Sequence, residues 1–249
     1  MKDKTNISRL TLQGVDHSYG NIEVLKDLNL TVYQNEVVVL VGPSGCGKST
    51  ILNLLSGHIQ PLSGTIHREG IIRTVYQSDG LFPWLTVSEN IAIGLRSMED
   101  DARRTKELHE LLELIHLEGF EHHYPHQLSG GMRQRVELAR VLAGDSDILL
   151  MDEQFSALDY QARLRMRAEL VRVLRKRPRT VVFVTHDIEE AAQLADRVFV
   201  LSSRPATIVR ELIIDAPQPR GMTDYAVIEA MKEIFKELGL QPNVINEMI

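Results

Sequence analysis

Several things are scarce in this chain, and each scarcity excludes something. There is one cysteine, Cys46, among 249 residues. No internal disulfide can form, which fits a reducing compartment. No apolar run approaches the roughly 18 residues of a membrane span. The opening stretch MKDKTNISRL lacks the apolar core of a signal peptide. The expectation is a soluble, cytoplasmic protein that needs a partner to span any membrane it works on. A basic excess is missing as well: 28 Lys and Arg face 34 Asp and Glu, a net charge of −6, which speaks against broad nucleic-acid binding. The one basic concentration, between Arg163 and Arg179, reads as a solvated helix face. Long-period repeats, low-complexity tracts and an N-K-x-D guanine-reading motif are also absent.

What is present is ordinary globular material, 43% hydrophobic and 25% charged, ample for a core. Residues 8–32 alternate apolar and polar, as two antiparallel strands would, with a turn near Tyr19-Gly20-Asn21. Residues 36–41, EVVVLV, form a buried strand, and 48–57 a helix. Two short strands flank Glu69-Gly70 within 65–76. The period then becomes helical. Leu108, Leu111, Leu112 and Ile115 share one face, and residues 86–143 form an all-helical lobe. Strands at 147–151, 180–185, 197–201 and 207–214 alternate with helices at 160–176 and 187–195. Pro217 and Pro219 break the chain before a last amphipathic helix at 224–238. Apolar strands alternating with helices imply a mostly parallel sheet covered on both faces.

Three motifs carry chemistry. GPSGCGKST, residues 42–50, fits G-x-x-x-x-G-K-[ST] between an apolar strand and a helix. Its glycines let backbone N–H groups wrap phosphates, Lys48 supplies a point charge, and Ser49 offers a hydroxyl to Mg²⁺. Cys46 fills space in this loop. ILLMDE, residues 148–153, ends a strand on two acids: Asp152 suits the metal, and Glu153 suits a water attacking the γ-phosphate. HQLSGGMRQRVELAR, residues 126–140, puts Ser129 and the pair Gly130-Gly131 at a helix start. That is a second anion-binding pattern in a chain that already has one.

Glycine loop, LSGG and DE-terminated strand, in that order, resemble an ABC-type ATPase subunit over roughly residues 8–214. The resemblance implies an α/β P-loop NTPase fold with a mostly parallel core sheet, an N-terminal antiparallel β-subdomain and a helical signature lobe. The ATPase domain would be 1–214, with the lobe at about 86–143 inserted, and 215–249 a helical extension too short for a regulatory domain. In such proteins two subunits pack head to tail around ATP and Mg²⁺. Gly42, Pro43, Ser44, Gly45, Cys46, Gly47, Lys48, Ser49 and Thr50 would hold phosphates, and Tyr19 would stack on adenine. Ser129, Gly130, Gly131 and Asp159, the last in SALD, would complete the partner's site. Gln77 would sit between Mg²⁺ and the attacking water, and His186, in VTHD, would contact the γ-phosphate. The other eight histidines read as surface or turn residues.

Two positions depart from that pattern. Met132 stands where the signature has glutamine, and Gln154 where proline usually follows DE. Losing proline frees φ and restores an N–H, and the expectation is a looser loop. A single cassette without membrane helices resembles the ATPase subunit of an importer. DGLFPWLTVSENIAIGL and VLSSRPATIVREL resemble subunits for nitrate, sulfonate, taurine or bicarbonate uptake. Thiamine-pyrimidine and riboflavin uptake subunits are related to these. Phe82, Pro83 and Trp84 would then dock a membrane partner, the alternative being that Trp84 is lobe core. The implied partners are a second ATPase subunit, as a homodimer, and a permease pair at the cytoplasmic face of the membrane. An external solute-binding protein acts indirectly, and no nucleic acid is involved. A nucleic-acid or ribosome ATPase and a non-hydrolysing cassette are the rival readings.

Overall fold

The computed structural model describes residues 7–75, 80–156 and 158–240. Its centre is a six-stranded sheet in the order β5-β6-β7-β3-β8-β9. The strands are β3 (Val37–Val41), β5 (Ile72–Val75), β6 (Ile148–Asp152), β7 (Thr180–Thr185), β8 (Arg197–Leu201) and β9 (Ile208–Ile213). The first five are parallel, and β9 closes the edge antiparallel to β8. All six residues of β7 are buried, because both faces of the sheet are covered. Side chains alternate between the two faces. Val39, Val41, Leu149, Met151, Val181 and Phe183 join one apolar cluster, and Val38, Leu40, Ile148, Leu150, Val182 and Val184 join the other.

The second cluster is roofed by α1 (Lys48–Ser56) and by a three-stranded antiparallel sheet. That sheet has the order β2-β1-β4, with β1 Ser8–Tyr19, β2 Ile22–Tyr33 and β4 Ser63–Arg68. β4 and β5 are near neighbours in sequence yet lie in different sheets. The chain passes between the sheets at Gly70, where φ is +113° and a Cβ would lie 2.7 Å from the Asp147 carboxylate. The turn therefore needs glycine.

The first cluster is covered by helices. The lobe comprises α2 (Val87–Ala92), α3 (Asp101–Leu114) and α4 (Gly130–Ala143). Each start is capped by a side chain: Thr86 with Glu89 in a capping box, Asp100, and Ser129. Leu111, Leu112 and Ile115 are buried, with Leu108 packed beside them. α5 (Tyr160–Lys176), α6 (Ile188–Leu194) and α7 (Tyr225–Glu237) complete this face. Val227, Ala230 and Ile234 bury one stripe of α7 in the same cluster. The Arg220 guanidinium ties the chain ahead of α7 to the carbonyls of Ala195, Ile214 and Ala216.

Two sequence expectations fail here. The basic run is not a solvated face throughout. Arg167 is buried and pairs with Asp187, Glu189 and Glu190 around α6, while Arg163 also holds Asp187. Arg177 reaches Glu107 and Glu110 on α3. α5 lies against acidic helices, and a cation removed from water needs such partners. His17 is likewise no surface residue. It points inward from β1, is 6% exposed, and meets the Tyr19 ring edge-on at 4.9 Å.

Candidate functional site

The site lies beyond the C-terminal ends of β3, β6 and β7, where open α/β sheets place ligands. β3 runs into the loop 42–47, and α1 starts at Lys48. Gly47 at the helix start has φ +125°, and a Cβ there would lie 2.8 Å from Val24 and 2.9 Å from Leu25. No side chain caps α1, and no acid sits in its first turn. Its leading N–H groups and positive dipole end thus face outward, ready for an anion. The Lys48 ammonium is buried and folded back, donating to the carbonyls of Gly42 at 2.9 Å and Pro43 at 3.0 Å.

A cleft of about 400 Å³ opens here. Ser44, Gly45 and Gly47 to Thr50 contribute from the loop and α1, Tyr19 and Val24 from the antiparallel sheet, and Asp152 and Glu153 from the end of β6. The Ser49 hydroxyl and the Asp152 carboxylate both face this cleft, and the hydroxyl favours the charged form of the acid. Burial raises the pKa of Asp152 above the usual carboxylate range, and the charge of Glu153 adds to this; Ser49 and Lys48 oppose it. Glu153 sits at φ +44°, a conformation a non-glycine residue adopts at a cost, typically at functional sites. Its N–H donates to Val184 on β7 at 2.9 Å, and its carbonyl accepts from the Ser156 hydroxyl at 2.9 Å. Its Oε1 lies 3.1 Å from His186 Nδ1.

His186 is braced from behind. Thr185, buried in β7, donates to Glu190 at 2.6 Å and accepts the N–H of Asp187 at 2.9 Å. Asp187 in turn caps α6. Burial pushes the Glu190 carboxyl above its usual range.

The structure thus gathers Tyr19, Ser44, Gly45, Gly47, Lys48, Ser49, Thr50, Asp152 and Glu153 around one cleft, with His186 against Glu153. Gly42, Pro43 and Cys46 do not line it. Gly42 packs beside Leu201, and the Pro43 carbonyl holds Lys48. The Cys46 thiol is buried, which pushes its pKa up and suits packing rather than nucleophilic chemistry. Ser129, Gly130, Gly131 and Asp159 are also outside the cleft lining among the described residues. Ser129 caps α4, accepting the Met132 N–H at 3.3 Å, and a Cβ on Gly131 would meet nothing within 4 Å. Asp159 caps α5, accepting the Ala162 N–H. Gln77 falls outside the described residues.

Sequence reasoning missed two lining residues, Val24 and Arg204. Arg204, in the β8–β9 turn, lies inside the stretch VLSSRPATIVREL, which was read only for its likeness to uptake subunits and carries no local sign of a place at the cleft. It also misjudged Gln154. That residue is 5% exposed, and it binds α4 rather than loosening the loop. The helix lies directly beside it, so the amide finds buried partners. Trp84 is 68% exposed, so it is not lobe core; its ring lies 5.5 Å from Phe82.

Residues 25–156, more than half of the chain, match the ABC transporter family. The aliphatic sulfonates import ATP-binding protein of Rhodococcus jostii is 43% identical over 250 aligned positions, 98% of this chain and 99% of the relative. The taurine import ATP-binding protein of Pelagibacter ubique is 41% identical over 199 positions, 76% of this chain and 75% of the relative. Among solved structures, the dimeric form of a bacterial ABC transporter cassette matches with a TM-score of 0.70 and 32% identity, covering 84% of this chain and 100% of that one. A dimer of the same cassette in a post-hydrolysis state, bound to ADP and Pi, matches equally.

Proposed function

The chain belongs to the ABC transporter family of ATP-binding subunits, and on that premise we propose that it drives import of a small organosulfonate, an aliphatic sulfonate or taurine. It hydrolyses ATP with Mg²⁺, and it works as a dimer with a membrane permease. The observation behind the solute is the 43% identity to a sulfonate import subunit across 98% of the chain. No helix among the described residues is long and apolar enough to cross a membrane. The proposed place of work is the cytoplasmic face, bound to the permease, with an external solute-binding protein upstream and a second copy of this chain as dimer mate.

The donor set suits a hard divalent ion. Ser49 and Asp152 offer oxygens to the same cleft, and a cation would relieve the burial penalty on the Asp152 charge. Gln77 is proposed as a further ligand. Mg²⁺ held there would offset phosphate charge. In our reading Lys48 leaves the carbonyls of Gly42 and Pro43 for the β- and γ-phosphates, the loop N–H groups wrap the phosphates, and Tyr19 stacks on the base. Glu153 orients and polarises the attacking water, and His186 contacts the γ-phosphate and releases its hold on Glu153. Ser129, Gly130 and Gly131 lie outside their own cleft and serve the cleft of the partner. Phe82 and Trp84 form the docking face for the permease.

The test joins turnover to growth. Glu153→Gln should retain ATP binding and dimerise, yet release phosphate at least about 100-fold more slowly. Cells carrying only this variant should lose growth on an alkanesulfonate or taurine as sole sulfur source. Parental turnover in the variant sinks the catalytic assignment. Normal sulfonate growth with loss of uptake of another oxyanion sinks the solute.

A further inference from the structure

Three nearly fully buried polar side chains join α4 to the loop that carries Glu153. Gln134 Nε2 donates to the backbone carbonyl of Gln154 at 2.8 Å, and Gln154 Nε2 donates to Glu137 Oε2 at 3.4 Å. Their exposures are 7%, 5% and 4% for Gln134, Gln154 and Glu137. The contacts continue outward. Glu137 pairs with Arg140 at 3.9 Å, one turn along α4. Arg140 donates to the carbonyl of Gly80, and its guanidinium lies 5.6 Å from the Phe82 ring centre. Phe82 leans on exposed Trp84. In the other direction Gln154 directly follows Glu153.

This string is polar, buried and only partly satisfied. The Oε1 atoms of Gln134 and Gln154 are buried and have no hydrogen-bond partner among the described residues. A buried acceptor left open is costly, so such a network sits near a balance between alternative pairings, and a small shift of α4 can tip it. A fully apolar contact at the same place would hold α4 and the loop together without that sensitivity to alignment.

We infer that Gln154 is a positioning residue that, through Glu137 and Arg140, couples the exposed Phe82–Trp84 patch to the loop holding Glu153. Movement at the patch, transmitted along α4, changes how Glu153 is presented to the nucleotide, and so changes turnover rather than nucleotide affinity. The inference rests on the roles proposed above for Glu153 and for the patch.

The test uses shape-conserving variants of the full chain, so that packing survives. Gln154→Met and Glu137→Met should each lower kcat for ATP by about 2–30-fold, the span of measured coupling effects. KM should stay within about twofold, and so should nucleotide affinity of the monomer. The double variant should be no slower than the slower single one. In complex with the permease, stimulation of turnover should fall in both single variants. Losses that multiply in the double variant, or a rise in KM with kcat intact, overturn the coupling. If Gln154→Met does not fold, Gln154→Ala and Gln154→Glu take its place in the same cycle, read in the same way. Glu153→Gln in each background separates the two layers. Turnover that Glu153→Gln leaves at the level of its background refutes Glu153 as the water-polarising group, while the cycle between Gln154 and Glu137 still decides the coupling.

Discussion

Replacing Thr185 with valine removes one hydroxyl and almost nothing else. Both residues are β-branched and suit the interior of β7. The hydroxyl has two bonds, a 2.6 Å donation to Glu190 and a 2.9 Å acceptance from the Asp187 N–H. The first is to a charged group and is worth about 1.5–3 kcal/mol, and the second about 0.5–1.5 kcal/mol. Thr185 is 1% exposed, so water cannot take over either bond. The expected loss is about 2–4 kcal/mol, which for a chain of this size lowers Tm by about 5–15 °C. The loss should depend on pH. Burial already raises the Glu190 pKa, and the Thr185 bond opposes that rise. Valine raises it further. A carboxyl whose folded pKa lies above its unfolded value favours the folded state at low pH and loses that advantage as pH rises through the window between them. Thr185→Val should therefore cost more stability at pH 8 than near pH 4.5. Urea unfolding at both pH values measures this, and phosphate release reports the effect on neighbouring His186, with turnover expected to fall. A change below about 0.5 kcal/mol at both pH values would refute the bracing role assigned to Thr185.

Gly47→Ala should destabilise the fold by about 1–3 kcal/mol and abolish tight ATP binding. The left-handed backbone and the contacts with Val24 and Leu25 leave no room for a methyl group; thermal melts and a fluorescent ATP analogue check both. Ser129→Ala should lower turnover of the dimer while leaving the monomer's affinity for its first nucleotide unchanged, because Ser129 is absent from its own cleft. Equal loss of monomer binding would contradict the role in trans. Trp84→Ala should leave unfolding free energy within about 0.5 kcal/mol, since the ring is exposed. Co-purification of the permease from detergent-solubilised membranes should fall. Undiminished recovery would remove the docking role.

The sequence alone settled what neighbours in the chain can settle. Alternation and apolar runs located β1 to β9 to within a few residues, because burial on one or both faces leaves a local pattern. The glycine loop was legible as a strand–loop–helix turn because the three pieces are contiguous and their geometry follows from backbone chemistry. The helices starting near Ser129, Tyr160 and Asp187 were placed from the sequence, and in the structure each start is capped by a side chain, from Ser129, Asp159 and Asp187, that accepts N–H bonds within a turn. Tertiary structure decided which distant groups meet. Asp152 and Ser49 come to line one cleft, Glu153 meets His186, and Arg204 joins the cleft through strand order in the sheet, which no local period encodes. The same holds for the arginines of α5, which looked like a solvated face until acidic residues of α3 and α6 were seen beside them. Gln154 is the sharpest case. Its backbone freedom was readable from the missing proline, but its burial against Gln134 and Glu137 depends on where α4 packs. Pairings of this kind are fixed by contacts between segments far apart in the chain, and a linear pattern records only that a side chain is polar, not what it will find.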